Sequence, residues 1–255
     1  MGALEDRLRD VRARGAKAFV PYVTGGVPGV DAALLRALAG AGADAIEVGV
    51  PHSDPIMDGG VIQEASRISL DAGTRPDDVL RTVAEAAVEV PVAAMTYVNP
   101  VVRRGVAPFV DALAAAGVAG AIVPDLPVEE AGELREAAAA RDVDLVLLAA
   151  PGATAERLAA TGAAARGFVY CVATFGVTGE RAALASSARA VVEAMRTHSD
   201  LPLLVGVGIS TPAQAAEACG FADGVIVGSA LMRRVLDGDR DGALDLAAAF
   251  RGAIA

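Results

Sequence analysis

The chain has 255 residues, which suits one large α/β domain or two small ones. Its formal net charge of −10 argues against binding to nucleic acids or to anionic membranes. Two cysteines, Cys171 and Cys219, predict no disulfide framework and favour a reducing cytoplasm. The amino-terminal segment is charged and helical, unlike a signal peptide, and no apolar run is long enough to span a membrane.

Short apolar runs alternate with helical stretches along the chain. The runs are nearly continuous in apolar residues, which indicates strands buried on both faces, as in a parallel sheet. Predicted strands cover 18–23, 45–48, 91–97, 120–124, 144–149, 167–172, 202–206 and 223–227. Predicted helices cover 30–41, 62–72, 76–88, 106–116, 128–140, 154–164, 182–196, 211–219 and 240–254. Eight βα units in this length predict an α/β fold, a single (β/α)₈ TIM barrel over residues 1–255 with a short amino-terminal helix. A doubly wound open sheet is the competing fold.

Polar side chains occur where the predicted strands end, and in such a barrel the carboxyl ends of the strands carry the catalytic groups. The residues concerned are Glu47, Asp54 and Asp58 around the second strand, Tyr97 and Asn99 ending the third, Asp125 after the fourth and Tyr170 on the sixth. The sequence therefore predicts that these groups meet on one rim. The single lysine, Lys17, precedes the first strand and is predicted on the opposite rim.

Glu47 interrupts an apolar strand, "AIEVGV". A carboxylate there is costly to bury unless it is paired, protonated or used in chemistry. A structural ion pair is the alternative for Glu47, and turn formation before Gly59 and Gly60 is the alternative for Asp58. His52 is interpreted as a loop side chain.

Glycine-rich loops follow the last three predicted strands. Gly206 and Gly208 end the seventh, Gly228 and Ser229 end the eighth and open a helix, and the loop 176–179 follows the sixth. In this fold the loops after strands seven and eight often bind phosphate, because helix amino termini present free N–H groups to an anion. The alternative is that these glycines only form turns.

The positions of the few lysine and histidine residues exclude two kinds of mechanism. With Lys17 on the opposite rim, a Schiff-base mechanism has no nucleophile. His52 and His198 do not form a cluster of metal ligands. Cys171 is interpreted as a buried structural thiol. Acid–base chemistry by carboxylates and tyrosine remains, on a phosphorylated substrate that carries its own electron sink.

The segment "IEVGVPHSDPIMDGGVIQ" (46–63) resembles the signature of the tryptophan synthase α subunit family. The resemblance continues through "FVPYVTGGVPG", "MTYVNPV", "VPDLPVEE", "FVYCVATFGVTG", "VGVGIS" and "DGVIVGSALMRR". These blocks occur in the family's order and cover nearly the whole chain, so the resemblance implies the family's (β/α)₈ barrel.

The resemblance also implies a reaction, the retro-aldol cleavage of indole-3-glycerol phosphate to indole and glyceraldehyde 3-phosphate. The indole ring would be the electron sink, so neither a metal nor a cofactor is expected on this chain. By motif, the catalytic residues would be Glu47, Asp58 and Tyr170. The phosphate site would comprise Gly179, Gly208, Gly228 and Ser229, and the substrate pocket Tyr22, Tyr97 and Thr178.

The family's partner is a β subunit that holds pyridoxal phosphate, in an α2β2 complex. Residues matching positions that face this partner are Asp54, Pro55, Asn99, Pro127 and Glu129. The chain departs from the usual pattern at Val27, Gly60, Val61 and residues 173–175, which affects loop closure more than the chemistry. A free-standing indole-glycerol phosphate lyase, a phosphate-binding isomerase of the same fold and a weakly catalytic regulatory subunit are the alternatives.

Overall fold

The computed structural model describes residues 2–172, 181–206 and 208–255, and of residues 181–185 only the backbone. Within these ranges eight parallel strands close into a barrel in chain order, with β8 pairing with β1. The strands are β1 Ala18–Thr24, β2 Ile46–Gly49, β3 Val92–Met95, β4 Val118–Ile122, β5 Asp144–Ala149, β6 Val169–Val172, β7 Leu203–Gly206 and β8 Gly224–Val227. The closed barrel confirms the predicted fold and excludes the open doubly wound sheet.

Helices surround the barrel and cover its outer face. They are α1 Ala3–Ala13, α2 Ala32–Gly40, α3 Gly60–Asp71, α4 Pro76–Ala86, α5 Val98–Arg104, α6 Val106–Ala115, α7 Gly132–Ala139, α8 Ala155–Ala164, α9 Arg181–Arg196, α10 Pro212–Cys219, α11 Ser229–Leu236 and α12 Arg240–Ala253. The chain closes on itself where Phe250 of α12 stacks on Phe19 of β1, with ring centroids 6.2 Å apart. Among the helices of the described ranges, none combines the length and apolar character that a membrane span requires.

Every predicted strand is present, but the end of the third was predicted wrongly. β3 stops at Met95, and Tyr97 precedes the short helix α5, which contains Asn99. The carboxylate of Asp125 accepts a hydrogen bond from the backbone N–H of Val98 at 2.9 Å. This contact satisfies one of the free N–H groups at the start of α5 and so favours helix over a longer strand.

The two ends of the barrel differ in chemistry. At the amino-terminal end, Lys17 precedes β1 and its Nζ donates to the carbonyl of Ala222, just before β8, at 2.7 Å. Asp44 and Asp223 lie at the same end, where each accepts a hydrogen bond from a strand N–H and pairs with an arginine. Lys17 therefore lies on the rim opposite the loop that follows β2, as predicted.

Candidate active site

Glu47 is a buried acid in the barrel wall. Only 1% of its surface is exposed, and it lies beside Tyr22 of β1 in the parallel register. Its Oε2 atom is buried and has no hydrogen-bond partner among the described residues. Burial, and then the negative charge of Asp58, raise the pKa of Glu47 from 4.5 to about 8. The acid therefore carries a proton at neutral pH, which is not the state of a structural ion pair.

Asp58 lies in the loop between β2 and α3. The hydroxyl of Tyr97 donates a hydrogen bond to Asp58 Oδ2 at 3.0 Å. Burial raises the pKa of Asp58 from 3.8 to about 6, and the Tyr97 hydrogen bond and the nearby His52 partly offset that rise. At neutral pH Asp58 is therefore mostly ionised while Glu47 is mostly protonated.

Several hydrogen bonds define the conformation of the β2–α3 loop. The N–H of Asp58 donates to the carbonyl of Pro55 at 3.0 Å. The side-chain amide of Gln63, in the first turn of α3, donates to the carbonyls of Asp58 at 2.9 Å and Pro55 at 3.3 Å. The turn at Asp58 therefore uses backbone atoms, and the carboxylate, which accepts the Tyr97 hydrogen bond, takes no part in it.

Two tyrosines lie across glycines of the neighbouring strands. A Cβ at Gly49 of β2 would come within 2.0 Å of the Tyr22 hydroxyl oxygen, and one at Gly206 of β7 within 2.1 Å of the Tyr170 hydroxyl oxygen. Tyr22 also contacts Thr24, whose Oγ1 lies 3.2 Å from the phenolic oxygen. Burial raises the pKa of both phenols well above 10, and Glu47 and Asp58 add to the effect. Both tyrosines therefore remain neutral within electrostatic reach of the acids.

The predicted phosphate loops are partly described. α11 begins at Ser229, directly after β8, with Gly228 as its N-cap. No acidic side chain lies in its first turn, so its free N–H groups face no competing anion within the helix. Gly208 follows β7 in a left-handed conformation with φ +84°, which suits glycine. Thr178 and Gly179 lie outside the described residues.

The residues expected to meet a partner surround the same end of the barrel. Asp54, Asn99, Pro127 and Glu129 are exposed and Pro55 is half-exposed. Glu129 pairs with Arg157 at 3.0 Å. A cavity of about 800 Å³ opens beside Asp54 and Asn99.

The side chain of His52 makes two specific contacts, one with Tyr97 and one with the backbone of Asp54. Its ring stacks on Tyr97 with centroids 4.5 Å apart and planes 23° from parallel. Its Nδ1 accepts a hydrogen bond from the backbone N–H of Asp54 at 3.1 Å. The sequence held no signal for this contact, because Tyr97 lies 45 positions away and belongs to another βα unit.

The remaining candidates have simpler roles. Cys171 is fully buried, and burial raises its pKa to about 12, so it is an inert thiol at neutral pH, as interpreted from the sequence. Within the described ranges, no group of three or more His, Cys, Asp or Glu side chains is arranged to hold a metal ion.

A (β/α)₈ barrel with two carboxyls near its carboxyl-terminal rim, whose pKa values are raised to different extents, is typical of an acid–base enzyme. The family model described as "Tryptophan synthase alpha chain" matches residues 8–250. The chain belongs to the tryptophan synthase alpha chain family, and it is a carbon–carbon lyase of the type that cleaves indole-3-glycerol phosphate.

Individual relatives match this chain over nearly their whole length. The chain is 46% identical to the tryptophan synthase alpha chain of Streptomyces avermitilis, over 99% of this chain and 93% of the relative. It is 46% identical to that of Thermobifida fusca, over 99% of both chains. Among solved structures, tryptophan synthase from Mycobacterium tuberculosis superposes with a TM-score of 0.90 at 40% identity, covering 99% of this chain and 98% of that one. These relatives support the synthase subunit rather than the free-standing lyase.

Proposed function

We propose that Glu47 and Asp58 divide the chemistry of indole-3-glycerol phosphate cleavage between them. The observation that carries the proposal is the difference in their protonation. Burial raises the pKa of Glu47 to about 8, whereas Asp58, whose pKa is raised only to about 6, is mostly ionised at neutral pH. Two neighbouring carboxyls whose pKa values are pushed apart typically serve as acid and charge stabiliser.

Glu47 starts as the acid and donates its proton to carbon 3 of the indole ring. The ring nitrogen then carries positive charge and its N–H faces the Asp58 carboxylate, which stabilises that charge. The Glu47 carboxylate next removes the proton from the glycerol hydroxyl on the carbon attached to the ring. The carbon–carbon bond breaks, its electron pair returns to the ring as indole forms, and the aldehyde leaves as glyceraldehyde 3-phosphate. Glu47 ends protonated, so the cycle consumes no proton.

Tyr22, Tyr97 and Tyr170 form the walls around these acids. Each phenol is neutral, so each contributes an apolar ring and a hydrogen-bonding hydroxyl without adding charge. Tyr170, which is half-buried on β6, is the one we assign beside the reacting centre. Its phenol lies across Gly206 of β7, where a side chain would collide with the hydroxyl oxygen.

The phosphate of the substrate would lie against the amino terminus of α11. Backbone N–H groups and the helix dipole favour an anion there, and Gly208 and Gly228 keep side chains away from the approach. Thr178 and Gly179 would complete the site. This arrangement holds the non-reacting end of the substrate while the indole end reaches the acids.

A tryptophan synthase β subunit is the proposed partner, in an α2β2 complex, with pyridoxal phosphate on the partner. Asp54, Pro55, Asn99, Pro127 and Glu129 would meet it. Ile56 and Val102 support this surface, because they are large apolar side chains that are 80% and 67% exposed beside these residues. Covering them would remove apolar area from water.

The test is indole formation from indole-3-glycerol phosphate by the purified chain, alone and with saturating β subunit. We expect cleavage by the chain itself and an increase of about tenfold or more with the partner, or about 1.4 kcal/mol of barrier. The reason is that Gly59 and Gly60 widen the ensemble of the unbound Asp58 loop, so partner binding has more to order. Absence of indole under both conditions would refute the proposed function, and fast turnover with no response to the partner would refute the proposed dependence on it.

A further inference from the structure

The side chain of Tyr97 contacts residues near both ends of the β2–α3 loop. Tyr97 has only 3% of its surface exposed and is the N-cap residue of α5. Its hydroxyl donates to Asp58 Oδ2 and accepts from the N–H of Met57, both at 3.0 Å. Its ring face is covered by the imidazole of His52 at the opposite end of the loop.

The orientation of His52 is itself fixed. Because Nδ1 accepts the Asp54 N–H, the ring is tied to the tip of the loop and cannot rotate without losing that contact. The imidazole is only half-buried, so stacking on Tyr97 and this hydrogen bond are what hold it in place. The loop therefore contacts Tyr97 from two sides, through the imidazole of His52 near its start and the carboxylate of Asp58 near its end.

We propose that the ring of His52 is a positioning residue for Asp58, acting through Tyr97. The inference rests on the proposed function of Asp58 as the group that stabilises charge on the indole. Without the stacked ring, the phenol of Tyr97 gains freedom toward the loop, and the Asp58 carboxylate moves with the hydroxyl that holds it. Small displacements of a group that acts in the transition state reduce the rate sharply.

The tip of the loop adds a consequence. Asp54 and Ile56 are exposed and belong to the proposed partner surface, and Asp54 is also the residue bonded to His52. Contact with a partner at the tip would therefore hold the imidazole against Tyr97. Asp54 and the acid are thus joined by a continuous series of contacts, from Asp54 to His52, from His52 to Tyr97 and from Tyr97 to Asp58.

The experiment compares His52→Ala and His52→Phe with the parent chain in steady-state cleavage of indole-3-glycerol phosphate. We expect kcat/KM to fall about tenfold in the Ala variant, mainly through kcat, and to recover to within about twofold of the parent in the Phe variant, which keeps a stacking ring. His198→Ala, at the opposite end of the barrel, is the matched control and should leave kcat/KM unchanged. A Phe variant as slow as the Ala variant would overturn the positioning role of the ring.

A second comparison separates positioning of Asp58 from a general structural effect. In an Asp58→Asn background, His52→Ala should change kcat/KM by less than about twofold, because the group it positions is already lost. A full additional tenfold loss in that background would overturn the inference. If the parent chain forms no indole, the proposed function fails. If the parent forms indole and His52→Ala is as fast, only the present inference fails.

Discussion

Replacing Glu47 with glutamine should change both the rate and the pH dependence of stability. The substitution keeps the size of the side chain and removes its ionisation. General acid–base groups contribute about 10² to 10⁴ in rate, so we expect a loss of at least that size in indole formation, with substrate binding largely kept.

The stability effect follows from the raised pKa of about 8 in the folded state against an ordinary value of 4.5. The folded protein keeps the proton where the unfolded chain has released it, so the contribution of Glu47 is fully present below the ordinary pKa. It is lost as the pH rises through the folded pKa. Between about pH 6 and pH 8 the loss is roughly 2 kcal/mol, because the slope of about 1.36 kcal/mol per pH unit flattens as the pH approaches the folded pKa.

The assay is urea unfolding of the parent and the Glu47→Gln variant at about pH 6 and about pH 9, under conditions where unfolding is two-state. A buried amide that lacks partners destabilises by about 1–3 kcal/mol, but equally at both pH values. The parent should therefore lose about 3 kcal/mol more stability than the variant on going to the higher pH. Equal losses in both proteins, or a variant with near-normal turnover, would refute the reasoning that Glu47 is a buried, proton-holding acid.

Other changes test the rest of the site. Because the pKa of Asp58 is about 6, the acid side of the pH profile of kcat/KM should rise near about pH 6. Asp58→Asn should abolish this rise, and a rise that persists in the variant belongs to another group. Ser229→Asp places a negative charge at the amino terminus of α11, where the helix dipole favours it, so thermal stability should not fall. The same charge would repel phosphate, and calorimetry should give at least about tenfold weaker binding of glycerol 3-phosphate. Unchanged affinity, with Ser229→Ala as the control, would put the phosphate elsewhere. Gly206→Ala should destabilise by about 1–3 kcal/mol in urea unfolding, because its Cβ would lie 2.1 Å from the Tyr170 hydroxyl oxygen. Gly132→Ala, with no atom within 4 Å, is the matched control, and equal stability of the two variants would contradict the close contact.

The sequence predicted the barrel because its strands are continuous apolar runs, a local property. The unusual position of Glu47 was visible for the same reason, because an acid buried within such an apolar run must be paired, protonated or used in chemistry. What the sequence could not predict depends on distant contacts. α5 carries Pro100 and several β-branched residues and begins where Asp125, far along the chain, supplies a cap. The stacking of His52 on Tyr97 likewise requires two loops to be brought together by the closed sheet.

The proposed phosphate site stays a prediction from the sequence, for a different reason. The glycines after the last strands indicated where an anion could approach, but glycine has the same pattern in any tight turn. Valine at Gly208 or Gly228 would be a poor test of phosphate binding. Gly208 has a left-handed conformation, and a Cβ at Gly228 would lie 3.1 Å from Cδ1 of Tyr22. Such a variant would strain the backbone or displace Tyr22 as well as block phosphate.

The tyrosines that lie across strand glycines restrict how this pocket can change over generations. A methyl group at Gly49 would meet Tyr22 at its hydroxyl oxygen and also at Cζ, 2.6 Å away, so exchanging the phenol for phenylalanine does not make room. The order of substitutions is therefore fixed: the aromatic ring must shrink before the glycine can grow. A lineage, or a mutant library, that varies these positions one at a time meets destabilised, crowded intermediates in one direction and uncrowded ones in the other. New substrate preferences at this wall are accordingly accessible through paired changes that begin on β1 or β6.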